Sequence, residues 1–361
     1  MLNFFAPINR LGYGIFNYNL ISAYDQYVSK EIALFPIPDA EFGDSSVQRW
    51  ISNGKWFKRS DPSIMIFQAP WLNHFSGTPM IGFPIFELDE IPEYDLAVLR
   101  GLDFVLQASR WGKGVLEKHG FKNVRLVPGG YDPALFHREL TLEQKLERIQ
   151  RQGISFVHVG RFEPRKASGE ILHSFLRACD EGKEKVNFCF HACNPFDDRW
   201  FEKSQKILLG YGFTQNGPHF TRGNTRVLVP QERFKADPGK LYQISDFGIW
   251  ASKGEGWNLP LIECLACGLP CLTTNNTGQG DFIRENVYPG ELIVKSHQNE
   301  TTRVGSYWWP IDEQELTQKI KSMIRDPEKY LKLENQCFES VREFTWENSA
   351  RKLGEVIKII T

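Results

Sequence analysis

Residues Gly254 to Pro270, GEGWNLPLIECLACGLP, hold two glutamates, Glu255 and Glu263, with seven residues between them. The run SDFGIWAS just before reads as a buried strand, so KGEGWN is the loop at its carboxyl end. Leu259-Pro260 then opens a helix, because a proline in the first turn gives up an N–H that would have no partner there. Gly268 stands where a C-terminal cap is required. This reading places Glu255 on the loop and Glu263 in the first helical turn. Between them, Gly256, Trp257, Asn258 and Leu259 offer backbone N–H groups at the positive end of the helix. One carboxylate can hold sugar hydroxyls, the amides a phosphate, and the other carboxylate a second pair of hydroxyls. Acidic residues also favour helix N-termini for electrostatic reasons alone, and that reading applies to Glu263 taken singly.

Two further loops carry suitable groups. In VHVGRFEPRK a strand ends at Gly160, and Arg161 and Lys166 follow before a helix. A planar fork and a point charge on one such loop suit a diphosphate. A solvated basic turn is the plain alternative. In INRLGYGIFNYNL, Gly12 and Gly14 lie between a strand and a helix, where backbone can approach a phosphate. Asn17 occupies the third position of a Gly-x-Gly-x-x-Gly pattern, which weakens a dinucleotide reading.

Positioning these loops requires strands that end at them. LNFFAPI, EIALFPI, SIMIFQA, PMIGFPIF, DFVLQAS and VRLVP form one apolar set. ISFVHVG, VNFCFHAC, RVLVP, DFGIWAS, LPCLTT and ELIVKS form a second, with helical segments between many of them. Continuous apolar strands alternating with helices predict α/β architecture with parallel sheets covered on both faces. The charged stretch from Arg138 to Gln152 reads as a partly helical linker, predicting a first domain over 1–140 and a second over 150–344. Ligands of such sheets bind beyond the carboxyl ends of the strands. At the end of the chain, Ala350, Leu353, Val356 and Ile357 recur at helical spacing, with Thr345 as cap.

Composition bounds the remainder. With 361 residues and a formal charge of −1, the chain exceeds one ordinary domain and has no overall pull toward nucleic acid or anionic membrane. No apolar run is long enough for a membrane span, and the start lacks a basic flank and a long apolar run. Seven cysteines, an odd number, read as reduced thiols, so a cytoplasmic protein is expected. Cys264 and Cys267 are spaced as a C-x-x-C, but they fall within a helix and read as core thiols. Asp197-Asp198 is not an Asp-x-Asp, a pattern the chain lacks.

As a set, these motifs resemble glycosyltransferase family 4, whose signature is Glu, seven residues, Glu. VGRFEPRK resembles the family's Gly-Arg…Lys turn, RLVPGGYDPALF its segment before the linker, and LGYGIFNYNL its amino-terminal glycine loop. The resemblance runs nearly end to end and is strongest from Ile154 to Thr274. It implies a GT-B fold, two Rossmann-like domains facing a central cleft, with a final helix (345–361) crossing back to the N-terminal domain. It also implies a retaining transfer of sugar from a nucleotide diphosphate sugar. Glu263 would hold the ribose hydroxyls and Glu255 those of the transferred sugar, near the amides of Gly256 to Leu259. Arg161 and Lys166 would stabilise the departing diphosphate, with Gly12 and Gly14 on the loop that approaches it. Asn258 departs from the family's usual glycine. MIGFPIFELDEIP resembles a subgroup carrying Glu87 where many members have a histidine near the sugar, and His74 is a second candidate for that neighbourhood. No metal and no cofactor beyond the donor substrate are expected. The acceptor stays open: glycan, lipid, metabolite, protein or modified nucleobase. Two rivals are a non-catalytic nucleotide-sugar or glycan-binding protein of the same fold, and a nucleotide-dependent oxidoreductase.

Overall fold

The computed structural model describes residues 1–41, 44–180, 182–231, 238–284, 286–298, 300–301 and 307–361. Its first sheet contains β1 (Leu2–Ile8), β2 (Ile32–Ala40), β3 (Ser63–Met65), β4 (Met80–Gly82), β5 (Phe104–Gln107) and β6 (Val124–Leu126). The order is β2-β1-β3-β4-β5-β6, and every pairing is parallel. The second sheet contains β7 (Ile154–Val159), β8 (Val186–His191), β9 (Thr214–Asn216), β10 (His219–Arg222), β11 (Thr225–Leu228), β12 (Phe247–Trp250), β13 (Cys271–Thr274) and β14 (Ile293–Val294). Its order is β14-β13-β12-β7-β8-β11-β10-β9. The central strands β12 and β13 are buried along their whole length, as strands covered on both faces must be.

Two departures from the sequence reading have simple causes. The apolar runs SIMIFQA and PMIGFPIF yield strands of only three residues each. Beyond them the chain keeps single ladder bonds, Ile66 N–H to Phe5 C=O (3.0 Å) and Phe83 N–H to Met65 C=O (2.8 Å). Pro84 then offers no N–H, and the chain leaves the sheet. The second departure is the antiparallel hairpin β9–β10, which the apolar pattern does not reveal because β9 is polar and exposed. Asn216-Gly217, with Gly217 at φ +58°, supplied the available signal.

Between the sheets, the helix Leu142–Gln152 begins with a complete capping box, Thr141 with Gln144. The terminal helix Trp346–Ile360 starts on Thr345, whose Oγ1 accepts the Asn348 N–H at 3.2 Å. Its buried face includes Ala350, Leu353, Val356 and Ile357. It lies against the first helix, Gly12–Tyr27, with the Trp346 ring edge-on to Phe16 at 5.2 Å. Gly354 sits so close to Val28 that a Cβ there would fall 2.7 Å from Val28 Cγ1. The chain therefore returns to the N-terminal domain. At the crossing, Tyr131 N–H donates to Phe344 C=O and Trp346 N–H to Tyr131 C=O.

Candidate active site

The loop after β12 and the loop after β7 meet in one buried ion cluster. Glu255 is 3% exposed. Both its oxygens accept from Lys166 Nζ, at 2.6 and 2.8 Å, and Oε2 also accepts from Arg165 at 3.0 Å. Arg165 donates further to Gly254 C=O (2.7 Å) and to Glu163 (2.8 Å). Glu87, from the loop after β4, completes the group at 3.4 Å from Arg165. Burial works to raise the Glu255 pKa, but the Lys166 ammonium and Arg165 guanidinium outweigh it and hold the carboxyl at about 2. Burial likewise opposes the charge on Arg165, and Glu87, Glu255 and Glu163 together drive its pKa above the ordinary value.

Local backbone explains the convergence. After β7 a short turn, Pro164–Lys166, ends at Ala167 in the left-handed region, φ +52°. That turn brings Arg165 and Lys166 to the same carboxylate. Glu255 N–H donates to Thr277 Oγ1 at 2.8 Å, which anchors the motif loop. Asn258 precedes the motif helix, Leu259–Ala266, at φ +78°. Asparagine tolerates this conformation better than other residues with a side chain, which accounts for it standing where glycine is usual. Its Nδ2 donates to Gln279 Oε1 at 2.8 Å, while its buried Oδ1 has no partner. No side chain caps this helix start.

The structure corrects the placement of Glu263 and locates the other expected residues. Glu263 lies on the second turn of the motif helix, not the first. It is half-buried, and Tyr242 Oη donates to it at 3.2 Å. Burial pushes its carboxyl up to about 8. The Trp257 side chain points away from the ion cluster. It is buried against Phe282 and Phe344 (5.4 Å each) and close to Gly129. Gly12 is exposed, and a Cβ there would meet nothing within 4 Å, so no crowding explains it. At Gly14 a Cβ would strike Asn9, so the tight approach is to the loop's own backbone. Arg161 does not reach Glu255. It pairs with Glu163 at 3.1 Å and covers the Phe196 ring at 5.4 Å. His74 lies beside Trp71 with its ring tilted, outside the cluster.

Arg165 and Glu163 were missed, although both are spelled out in GRFEPRK. His158, beneath the cluster, was also missed. It is fully buried, with Nδ1 2.8 Å from Ile249 C=O, and burial lowers its pKa to about 4, leaving a neutral ring. Cys264 Sγ lies 3.1 Å from Cys271 Sγ in the core, and all seven cysteines are free. Asp197 pairs with Lys203. Among the described residues, no group of three His, Cys, Asp or Glu side chains could hold a metal, and no helix is long and apolar enough to cross a membrane.

The state of Glu263 gives a direct test. Its folded pKa near 8 exceeds the ordinary 4.5, so the folded chain favours the proton. The resulting stabilisation is complete below about pH 4.5 and is lost as pH rises through 8. Glu263→Gln should therefore gain melting temperature relative to the parent protein between pH 6 and pH 9. Parallel melting curves across that window would contradict a proton-holding Glu263.

The N-terminal domain closes directly over this site. A Cβ on Gly256 would fall 2.6 Å from Ile85 Cγ2, and one on Gly254 would fall 3.1 Å from Glu87 C=O. Arg110 N–H, at the start of another N-domain helix, donates to both oxygens of Asp281, at 3.0 and 3.2 Å.

Residues 221–353 match the family described as family 4 glycosyltransferase in conflict systems. A probable sucrose-phosphate synthase of Thermosipho melanesiensis is 23% identical over 241 residues, covering 64% of this chain and 47% of that protein. The putative glycosyltransferase YtcC of Bacillus subtilis is 22% identical over 206 residues, covering 56% and 44%. The chain thus spans about half the length of the curated relatives it matches. Among solved structures, Anabaena HepE in complex with UDP-glucose superposes with a TM-score of 0.70 at 12% identity, covering 99% of both chains. The sucrose-phosphate synthase of Thermosynechococcus elongatus superposes with the same TM-score at 16% identity, covering 99% of this chain and 98% of that one. The two facing Rossmann-like domains, the returning terminal helix and the structural matches show a GT-B fold, and residues 221–353 are similar to family 4 glycosyltransferases.

Proposed function

We propose that the protein transfers a sugar from a nucleotide diphosphate sugar to an acceptor hydroxyl, with retention at the anomeric carbon and without a metal ion. The observation that carries this reading is the buried cluster of Lys166, Arg165 and Glu255 beside an uncapped helix start. Such a place offers fixed positive charge, free backbone N–H groups and a carboxylate within one contact radius. A diphosphate leaving group needs the first two, and sugar hydroxyls need the third. The HepE complex with UDP-glucose, on the same fold, supports a donor of this class.

In this reaction the bond between the anomeric carbon and the diphosphate oxygen breaks, and the electron pair leaves with the diphosphate. The acceptor oxygen bonds to the same face of the sugar, and its proton passes to a diphosphate oxygen. Lys166, Arg165 and Arg161 stabilise the departing charge. Glu255 stays ionised in the fold and stabilises the positive charge that develops on the ring. Glu263 and the side-chain Oδ1 of Asn258, the latter without a partner in the fold, serve the nucleotide and sugar hydroxyls. Water is kept out by the loop carrying Ile85 and Phe86.

The test is a screen of uridine, guanosine and adenosine diphosphate sugars by thermal shift, followed by nucleotide release in EDTA. One donor should raise the melting temperature and be turned over with chelator present. Loss of turnover in EDTA, restored by a divalent ion, would overturn the metal-free mechanism. A donor that binds without turnover would make the protein a binding module.

A further inference from the structure

We infer that Asp281 is a positioning residue, which ties docking of the N-terminal domain to the placement of Glu255; its effect on turnover rests on the transferase reading above. The tie is the turn Thr277–Asp281, which follows β13 and is buried except at Gly280. One side of this turn grips the motif loop. Glu255 N–H donates to Thr277 Oγ1 and Gly278 N–H donates to Glu255 C=O, each at 2.8 Å. Both main-chain polar groups of Glu255 therefore end on the turn. A Cβ on Gly278 would strike the Gly256 carbonyl oxygen, so the two strands of chain touch with no side chain between them. Gln279 Oε1 accepts from Asn258 Nδ2 at 2.8 Å, and Phe282, just past the turn, packs on the Trp257 ring at 5.4 Å. Thr277 holds φ +48°, a conformation rare for a β-branched residue, which persists only where the surroundings fix it.

The last residue of the turn faces the other domain. Both oxygens of Asp281 accept Arg110 N–H, at 3.0 and 3.2 Å, and the residue is 6% exposed. Arg110 opens the helix Arg110–Lys118, whose own cap, Ser109 Oγ, takes the Gly112 N–H at 3.1 Å. The first N–H of a helix has no partner within it, and a carboxylate there also meets the positive pole. An N-domain helix is thus capped in part from the other domain, by a residue of the turn that carries the Glu255 main chain. When the domains part, Asp281 loses this partner and the turn loses its anchor on the side away from the motif. A shift on the order of 1 Å in a preorganised group costs about 10²-fold in rate, so slack at Glu255 is read directly in turnover.

A proline substitution isolates the bond. Proline at a first helical position keeps the helix and lacks the N–H, and Ser109 ahead of it is extended (φ −129°, ψ 153°), as a residue before proline must be. Arg110→Pro thus deletes the bond to Asp281, whereas Arg110→Ala keeps it. Nucleotide release is measured with the uridine, guanosine or adenosine diphosphate sugar selected by the screen above. Hydrogen–deuterium exchange is followed over residues 254–280, well below the melting temperature. Arg110→Pro and Asp281→Ala should each lower kcat at least about tenfold, with donor KM changed less than about threefold. Both should also speed exchange at the Glu255 and Gly278 amides. Asp281→Asn, which keeps one acceptor oxygen, should recover most of both effects. Arg110→Ala and Ser109→Ala should match the parent in kcat and exchange, although Ser109→Ala loses melting temperature with its cap. Parental kcat and exchange in Arg110→Pro would reduce Asp281 to a helix cap. Equal losses in Ser109→Ala would trace the effect to a loosened helix, and either result overturns the tie. Exchange that responds in a protein turning over no nucleotide sugar would keep the tie and remove the transferase reading. Turnover with no response in either measurement would do the reverse.

Discussion

Lys166→Ala is expected to reduce sugar transfer by about 10²-fold or more, the usual cost of removing one preorganised group that stabilises developing negative charge. The geometry adds a second effect. Lys166 donates to both oxygens of the buried Glu255 carboxylate, so its removal leaves Arg165 as the one neighbouring cation hydrogen-bonded to that charge among the described residues. Breaking a buried pair in this way costs roughly 3–5 kcal/mol in stability. The two effects separate by pH. Glu255, held at about 2 in the fold, contributes stability that is present above its ordinary 4.5 and is lost as pH falls toward 2. Without Lys166 that contribution shrinks, and acid unfolding should move to higher pH. Arg161→Ala isolates the charge effect, because Arg161 is 35% exposed and pairs with Glu163 rather than Glu255. It should also lose about 10²-fold in transfer but little melting temperature. Near-normal turnover in both variants, measured as nucleotide release, would overturn their assignment to the diphosphate.

Truncation before Thr345 should abolish transfer altogether and lower the stability of both domains. The terminal helix buries Trp346, Ala350, Leu353, Val356 and Ile357, and much of that face covers the first helix. Losing it would expose Phe16 in the N-terminal domain and remove Trp346 from the crossing, where it bonds to Tyr131. Calorimetry offers the clearest measurement. The intact chain should unfold with its domains coupled, and the truncated one at lower temperature with the domains separated. A truncated protein that melts like its parent and still transfers sugar would show that the helix does not couple the domains.

Much of this architecture was readable in the residues because each signal was local and redundant. Apolar runs marked the buried strands, Pro260 and Gly268 bracketed the motif helix, and Thr345 capped the last helix. Within the site, Glu255 and Lys166 stand on two loops read as lying at the carboxyl ends of strands, and those loops do meet. Arg165 escaped because its direction depends on Ala167 adopting φ +52°, a conformation that an alanine gives no reason to expect. Glu263 falls one turn later than the sequence reading puts it even though the helix does start at Leu259, because Leu259 to Ile262 fill the first turn and the fifth residue opens the second. The sequence reading assigns Trp257 only a backbone amide, and its indole finds burial against Phe282 and Phe344. What the sequence could not convey was tertiary: which of two adjacent cations turns inward, and that Ile85 and Glu87 come from the other domain to meet them.

The returning helix also sets an order of assembly. During synthesis the first 130 residues emerge early, yet the outer face of the helix Gly12–Tyr27 has nothing to cover it until residues 346–360 appear. The second sheet, from β7 to β14, has all its strands by residue 294. The helices Glu313–Arg325 and Glu334–Val341, which pack on this second domain, also precede residue 346, so on a ribosome adding residues at about 5–20 per second every segment of the later-encoded domain is made before the helix that covers the earlier one. The N-terminal domain is therefore the half whose apolar surface stays uncovered longest.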